Sequence, residues 1–169
     1  MHLDRLALAA GALVVALSVK SNGQSTDARK GVEQVLQEYA AAMKAGDACK
    51  VRTLLTDNNV EVQDDGRRLG LSPAKPIDCK QFANLGGLQA LFARTRQAAA
   101  TWTISDFGSS GNLAWAAGTV AATWVDKTTG KDSGSGSSYF VGVYERQANG
   151  KYLERFHQET RLPPKNGAP

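Results

Sequence analysis

Apolar residues at Val32, Val35, Leu36, Tyr39 and Met43 recur at steps of three and four, while Glu33, Gln37, Glu38 and Lys44 fill positions between them. That spacing predicts a helix with one apolar stripe, which must lie on an apolar surface. Gly46 stands where a helix closes in a left-handed conformation, and Asp47 is placed to cap a second, shorter helix with Val51, Leu54 and Leu55 on its buried side. After Thr56-Asp57-Asn58-Asn59 a short run, Val60-Glu61-Val62-Gln63, is followed by Asp65-Gly66 and then Arg67 to Leu71, the pattern of a small hairpin. Beyond the proline-containing loop from Pro73 to Lys80, Asn84 can cap a third helix in which Leu88, Leu91, Phe92 and Thr95 share a face, with Gly86-Gly87 weakening its first turn.

From Trp102 the period becomes two. Trp102-Thr103-Ile104 starts one strand, and Leu113 to Val125 forms a long one in which Leu113, Trp115 and Ala117 alternate with Ala114, Ala116 and Gly118. Gly118 in its middle predicts a bend or bulge. The Gly/Ser-rich stretch from Thr128 to Ser138 reads as a hairpin end, and Tyr139 to Arg146 and Lys151 to Arg161 supply two further strands joined at Asn149-Gly150. Helix, helix, hairpin, helix and four sequential strands define an α+β class: a cone-shaped, strongly curved antiparallel sheet with three N-terminal helices packed on its concave face.

The Tyr-x-x-Ala/Met-x-x-Gly-Asp end of the first helix, the Val-x-x-Leu-Leu helix and the Asp-Asn-x-Val strand start resemble the nuclear transport factor 2-like superfamily, in its SnoaL-like and ketosteroid-isomerase-like branch. The resemblance runs from about Thr26 to Leu162, nearly the whole chain after its leader. It implies a cone opening into an apolar pocket, onto which Tyr39, Val62, Gln63, Trp102, Trp115, Tyr139 and His157 look inward. Such a pocket suits a small, largely apolar ligand held by a few polar groups. Pairing of two copies through the sheet is the other use of this architecture.

The first residues form a separate segment. Leu6 to Val19 is apolar and free of charge, preceded by Arg5 and followed by Lys20, and is too short to span a bilayer comfortably at roughly 20 residues. Residues 1–24 are therefore expected to be a signal peptide, with an uncleaved membrane anchor as the rival reading. Residues 25–162 would form the folded domain, 163–169 a disordered tail, and the protein would be periplasmic or secreted with no stable membrane span after processing.

Loss of residues 1–18 takes away one base and one acid, Arg5 and Asp4, so the net charge of +4 is unchanged. Basic residues are scattered, and no Lys/Arg stripe with interleaved aromatics supports binding to nucleic acid. The two cysteines, Cys49 and Cys79, are an even pair in a small exported domain, and a disulfide is their simplest reading. Two buried thiols are the alternative; no Cys or His stands at ligand spacing for a metal, and no cofactor motif is present.

The resemblance also raises a chemistry. In ketosteroid isomerases a tyrosine donates a hydrogen bond to a developing oxyanion, a protonated aspartate assists it and another aspartate shuttles the proton. Tyr39 matches the tyrosine, but the shuttling position falls on Gln63, with Asp64 one residue away in what reads as a solvated turn. The assisting acid falls near Phe140 or Val141, both apolar, so steroid isomerisation is disfavoured. Gly150-Lys151-Tyr152 followed by His157 and Thr160 resembles the histidine-bearing ending of many members. Counted from Tyr152, however, that histidine would fall on Gln158, and the one-residue offset reverses the strand face. Two readings follow: an accessory or small-molecule-binding domain without catalysis, or a cofactor-free isomerase, cyclase or dehydratase using Tyr39, Gln63 or Asp64, and His157. An ionisable side chain lining the cavity separates them, because only the second reading requires one.

Overall fold

The computed structural model describes residues 22–163, except residues 64, 76 and 86. Residues 1–21 of the proposed leader, the tail beyond Pro163 and the Asp64 candidate therefore lie outside the described residues, while residues 22–24 open the first helix.

Helix α1 (Asn22–Ala45) buries the stripe anticipated from its periodicity, with Val32, Val35, Leu36 and Met43 in the core. Gly46 ends it with a φ of 69°, and the Asp47 N–H closes back on the Ala42 carbonyl at 2.9 Å. Asp47 then caps α2 (Ala48–Arg52), its carboxylate accepting from the Lys50 N–H at 2.8 Å. That helix is shorter than its apolar spacing suggests. Leu54 lies beyond its end and Leu55 opens β1 (Leu55–Val62), so the strand begins ahead of the run from Val60. The hairpin to β2 (Arg68–Gly70) is present, with Val60 opposite Gly70.

The third helical segment is divided into α3 (Cys79–Leu85) and α4 (Leu88–Arg94). Gly87, at a φ of 70°, stands between them and serves as the N-cap of α4, while Asn84 lies inside α3. A left-handed residue cannot continue a right-handed helix, which is why one apolar face is shared by two short helices.

Four long strands follow: β3 (Thr95–Ser110), β4 (Leu113–Asp126), β5 (Gly136–Arg146) and β6 (Tyr152–Arg161). The six strands make one open sheet in the order β2-β1-β6-β5-β4-β3. Neighbours are antiparallel except β1 and β6, which are parallel, placing Glu61 beside His157. Strand β3 starts well before Trp102 and has two register shifts, one passing Ala98 and the other Ser105; β6 has one at Arg155. The Ser105 bulge lies opposite the Gly118–Ala117 step, so the irregularity expected at Gly118 is carried by the neighbouring strand. At Gly118 itself a Cβ would collide with the Thr103 carbonyl, so only glycine fits that crossing.

Helix α1 lies in the curve of the sheet and packs on β3, β4 and β6. Beneath it β4 presents Ala114 and Ala116, which are 1% and 0% exposed, and β5 presents Phe140 and Tyr144. A second cluster joins Met43, Val51, Leu55, Phe82 and Phe92, tying α2, α3 and α4 to the open end of the cone. A disulfide between Cys49 and Cys79, with Cα atoms 4.8 Å apart, links α2 to α3 across 30 residues of sequence.

Closing a loop of that length stabilises a fold by about 3 kcal/mol in the chain-entropy account. A Cys49→Ser/Cys79→Ser protein is therefore expected to unfold at clearly lower urea concentration than the parent. An unchanged midpoint would show that the bridge contributes nothing to holding α3 in place.

Candidate functional site

Inside the curve, two openings meet at the same side chains. The narrower is a cavity of about 60 Å³ that reaches Tyr39, Asn59, Glu61, Glu154 and His157, with Phe82, Leu85 and Leu88 forming its apolar side. The wider is a cleft of about 550 Å³ walled by Met43, Leu91, Trp102, Val120 and Trp124, with Gln97, Glu159 and Arg161 among its polar groups. Tyr39 and Glu61 line both.

The charged part of the site comes mainly from β6. In a regular strand Glu154 and His157, three apart, would face opposite sides. The extra residue at Arg155 resets the alternation, so both are buried on the concave face and Arg155 is exposed. This bulge also resolves the offset noted at His157: counted from Tyr152 without it, the imidazole would point away from the helix.

His157 is held from two sides. Its Nδ1 lies 3.2 Å from Glu154 Oε2 and its Nε2 lies 3.2 Å from Glu159 Oε1. The Nδ1 approach is off line for a hydrogen bond, so charge rather than directional bonding joins that pair. Phe140 stacks on the imidazole with ring planes 6° apart, and Trp102 meets it edge-on at 6.0 Å. Burial opposes the imidazolium, but the Glu154 charge and the contacts to both carboxylates outweigh it, pushing the His157 pKa up to about 10. An unpaired buried charge costs several kcal/mol, whereas a proton on His157 gives Glu154 its partner.

Glu61 is half-buried on β1 beside this pair. Burial raises its carboxyl above the ordinary range; the His157 charge pulls it back, Glu154 adds to the rise, and a hydrogen bond from Gln63 lowers it. The Tyr39 hydroxyl is pushed well above the ordinary phenol range, first by burial and then by the charges of Glu61, Glu154 and Glu159, so it remains a hydrogen-bond donor. Trp102 meets the Tyr39 ring edge-on at 6.2 Å and thereby orients it. The fully buried Tyr144 hydroxyl has no partner and lies over Gly142, where any Cβ would strike it.

Of the residues read from the sequence as pocket-lining, Tyr39, Val62, Gln63, Trp102 and His157 line these openings. Trp115 and Tyr139 do not: they are 45% and 57% exposed on the outer face of the sheet. The reason is the alternation itself. Helix α1 approaches β4 so closely that only Ala114 and Ala116 fit beneath it, which turns Trp115 outward, and Phe140 takes the inner position next to Tyr139. Sequence reasoning missed Glu61, Glu154, Gln97, Glu159 and Arg161. A faint signal existed for two of them, acids embedded in otherwise apolar runs at Val60-Glu61-Val62 and Tyr152-Leu153-Glu154. Among the described residues no group of acidic, cysteine and histidine side chains could hold a metal ion, and no helix is long and apolar enough to cross a membrane.

A six-stranded curved sheet cupping an N-terminal helix, with its hollow at the open end, defines the nuclear transport factor 2-like fold. Solved structures agree. A conserved protein from Planctomyces limnophilus superposes with a TM-score of 0.68 over 82% of this chain and 98% of its own, at 13% identity. A nuclear transport factor 2-like protein with a cystatin-like fold from Novosphingobium aromaticivorans gives 0.62 over 86% and 88% at 14% identity. A ketosteroid isomerase-like protein from Erwinia carotovora atroseptica gives 0.60 over 80% and 96%, also at 14% identity. No protein-family model and no curated protein sequence matches the chain.

With an ordinary histidine pKa near 6.5 and a folded value of about 10, the stabilisation from His157 is complete below the unfolded value and is lost as pH rises toward the folded one. In a long-range ¹H–¹⁵N spectrum of the folded protein at pH 8, His157 is expected to show the imidazolium pattern. A neutral imidazole at that pH would mean that Glu154 and Glu159 do not hold its proton.

Proposed function

We propose that the cone binds a small, largely apolar carbonyl compound and moves a proton on it without a cofactor, as an isomerase, cyclase or dehydratase would. The observation that carries this reading is Glu61, a half-buried carboxyl raised above its ordinary range, lining the same hollow as the Tyr39 hydroxyl. A carboxyl shifted toward neutrality is suited both to accept and to return a proton. In the proposed step the Glu61 carboxylate removes a proton from the carbon next to the carbonyl, and the C–H electron pair becomes the double bond of an enolate. The negative charge collects on the carbonyl oxygen, where the Tyr39 O–H donates a hydrogen bond. Where the substrate carries a β,γ carbon–carbon double bond the enolate is a dienolate, and return of the proton from Glu61 at its γ-carbon completes an isomerisation.

His157 has a different part. Both ring nitrogens face carboxylates, so it is not a free base. Its charge offsets Glu154 and Glu159 and keeps the Glu61 carboxyl from rising further. Gln63, the residue that the resemblance placed at the proton-shuttling position, acts here by donating to Glu61, while Asp64 takes no part in the reading. The likeness to a ketosteroid isomerase-like protein supports the fold of such a site and not its substrate.

The Cys49–Cys79 bridge supports an oxidising compartment, and with it a periplasmic or secreted protein. The outer face carries a separate reading. Trp115, Tyr139 and Val141 expose large apolar surface on adjacent strands, which favours pairing of two copies through the sheet.

Two measurements test these readings. With 2-tetralone as probe in D₂O, the protein is expected to accelerate exchange of the protons beside the carbonyl, and Glu61→Gln to reduce that rate at least about a hundredfold. Tyr39→Phe should lower it less. Absence of exchange in the parent, or equal exchange in Glu61→Gln, refutes proton transfer by Glu61. For the outer face, Tyr139→Glu is expected to convert a dimer into a monomer in analytical ultracentrifugation, and a parent that is already monomeric at high concentration refutes pairing.

A further inference from the structure

The wider cleft has polar groups for which the proton-transfer step has no use. Gln97 is 6% exposed, lines the cleft, and its Oε1 has no hydrogen-bond partner. Trp102 stands in the same wall, and its buried Nε1–H is also without one. Buried polar atoms are nearly always paired, so orphans on a cleft wall mark where a bound molecule supplies the missing bonds. Arg161 lines this cleft at the far end of β6, opposite Ser138, and its side chain forms no ion pair or hydrogen bond among the described residues. The acid next to it on the inner face, Glu159, is already engaged by His157. The concave side of β6 thus reads Glu154, His157, Glu159, Arg161, and only the last of these lacks a partner of opposite charge.

We propose that the wider cleft binds the carboxylate end of an amphipathic oxo-acid, with Arg161 pairing its carboxylate and the apolar body lying between Trp102, Val120 and Trp124. This inference rests on the proton-transfer reading for the other end of the same ligand. Four residues of strand separate His157 from Arg161, so the anionic group and the reacting carbonyl stand roughly 13 Å apart at strand rise. A volume of about 550 Å³ accommodates a molecule of that length with a fused-ring or chain-like body. Guanidinium recognises carboxylate through two parallel N–H donors, which fixes orientation as well as charge. An anchor at one end would place the carbonyl against Glu61 and Tyr39 at the other, so Arg161 is a specificity-determining residue and takes no part in the proton transfer.

Pyrene-1-butanoate and its uncharged counterpart pyrene-1-butanol test this by energy transfer from Trp102 and Trp124. The acid is expected to bind the parent at least tenfold more tightly than the alcohol. Arg161→Gln should bring the two dissociation constants within about twofold of each other, and Arg161→Lys should keep part of the preference. Glu61→Gln should retain the preference, because Glu61 does not hold the carboxylate. Equal binding of acid and alcohol to the parent, binding of neither, or a preference that survives Arg161→Gln overturns the proposal. Failure of 2-tetralone exchange with the acid preference intact overturns only the proton-transfer reading, and the anion-anchored cleft then stands as a binding site.

Discussion

Three strands carry more residues than their neighbours can pair: β1 sets four residues, 56–59, against one of β6, β3 has an additional residue at Ala98 and another at Ser105, and β6 has one at Arg155 relative to β5. Each resets the in-and-out alternation, so that residues an odd number apart share the inner side: Gln97 with Trp102, Ile104 with Phe107, Glu154 with His157. Bulges also bend a strand, and bending is what opens a hollow in a sheet that would otherwise lie against its helix. Without the one at Arg155, Glu154 and His157 would face opposite sides and their 3.2 Å ion pair could not form.

Packing decides where the hollow lies. Helix α1 sits close over β4 because Ala114, Ala116 and Gly118 offer no bulk, and Phe140 and Tyr144 fill the centre of the cone. The space that remains is displaced toward the end where Tyr39 leaves the core, bounded by the disulfide-linked α2 and α3 on one side and by Trp102 and Trp124 on the other. Electrostatics then follow from burial. Three acids and one imidazole share a poorly hydrated region, and the lowest-cost arrangement keeps the proton on His157 while burial raises the Glu61 carboxyl above its ordinary range. The apolar wall and the polar row of β6 give the hollow two chemically distinct ends.

Much of the fold was legible locally. The stripe from Val32 to Met43, the Gly46-Asp47 junction, the Asp65-Gly66 hairpin and the period of two after Trp102 each depend on residues within a few positions of one another, and each has its expected counterpart. The third helical segment was legible in its apolar face but not in its division, since a single left-handed glycine is enough to break it. The site was less legible. Tyr39, Gln63, Trp102 and His157 were recognised through their resemblance to a known family, and the same resemblance placed Trp115 and Tyr139 inward. Here the inner volume was already taken by α1.

The chain by itself therefore determined the order of helices and strands and the position of the first helix and of the main turns, because capping, periodicity and turn chemistry act between near neighbours. Tertiary structure alone decided which charges meet. Glu61 reaches His157 through a parallel pairing of strands about a hundred residues apart, and His157 reaches Glu154 through a one-residue bulge whose parity change leaves no trace in a pattern of period two. Both outcomes depend on register, and register is set by the whole sheet closing around its helix.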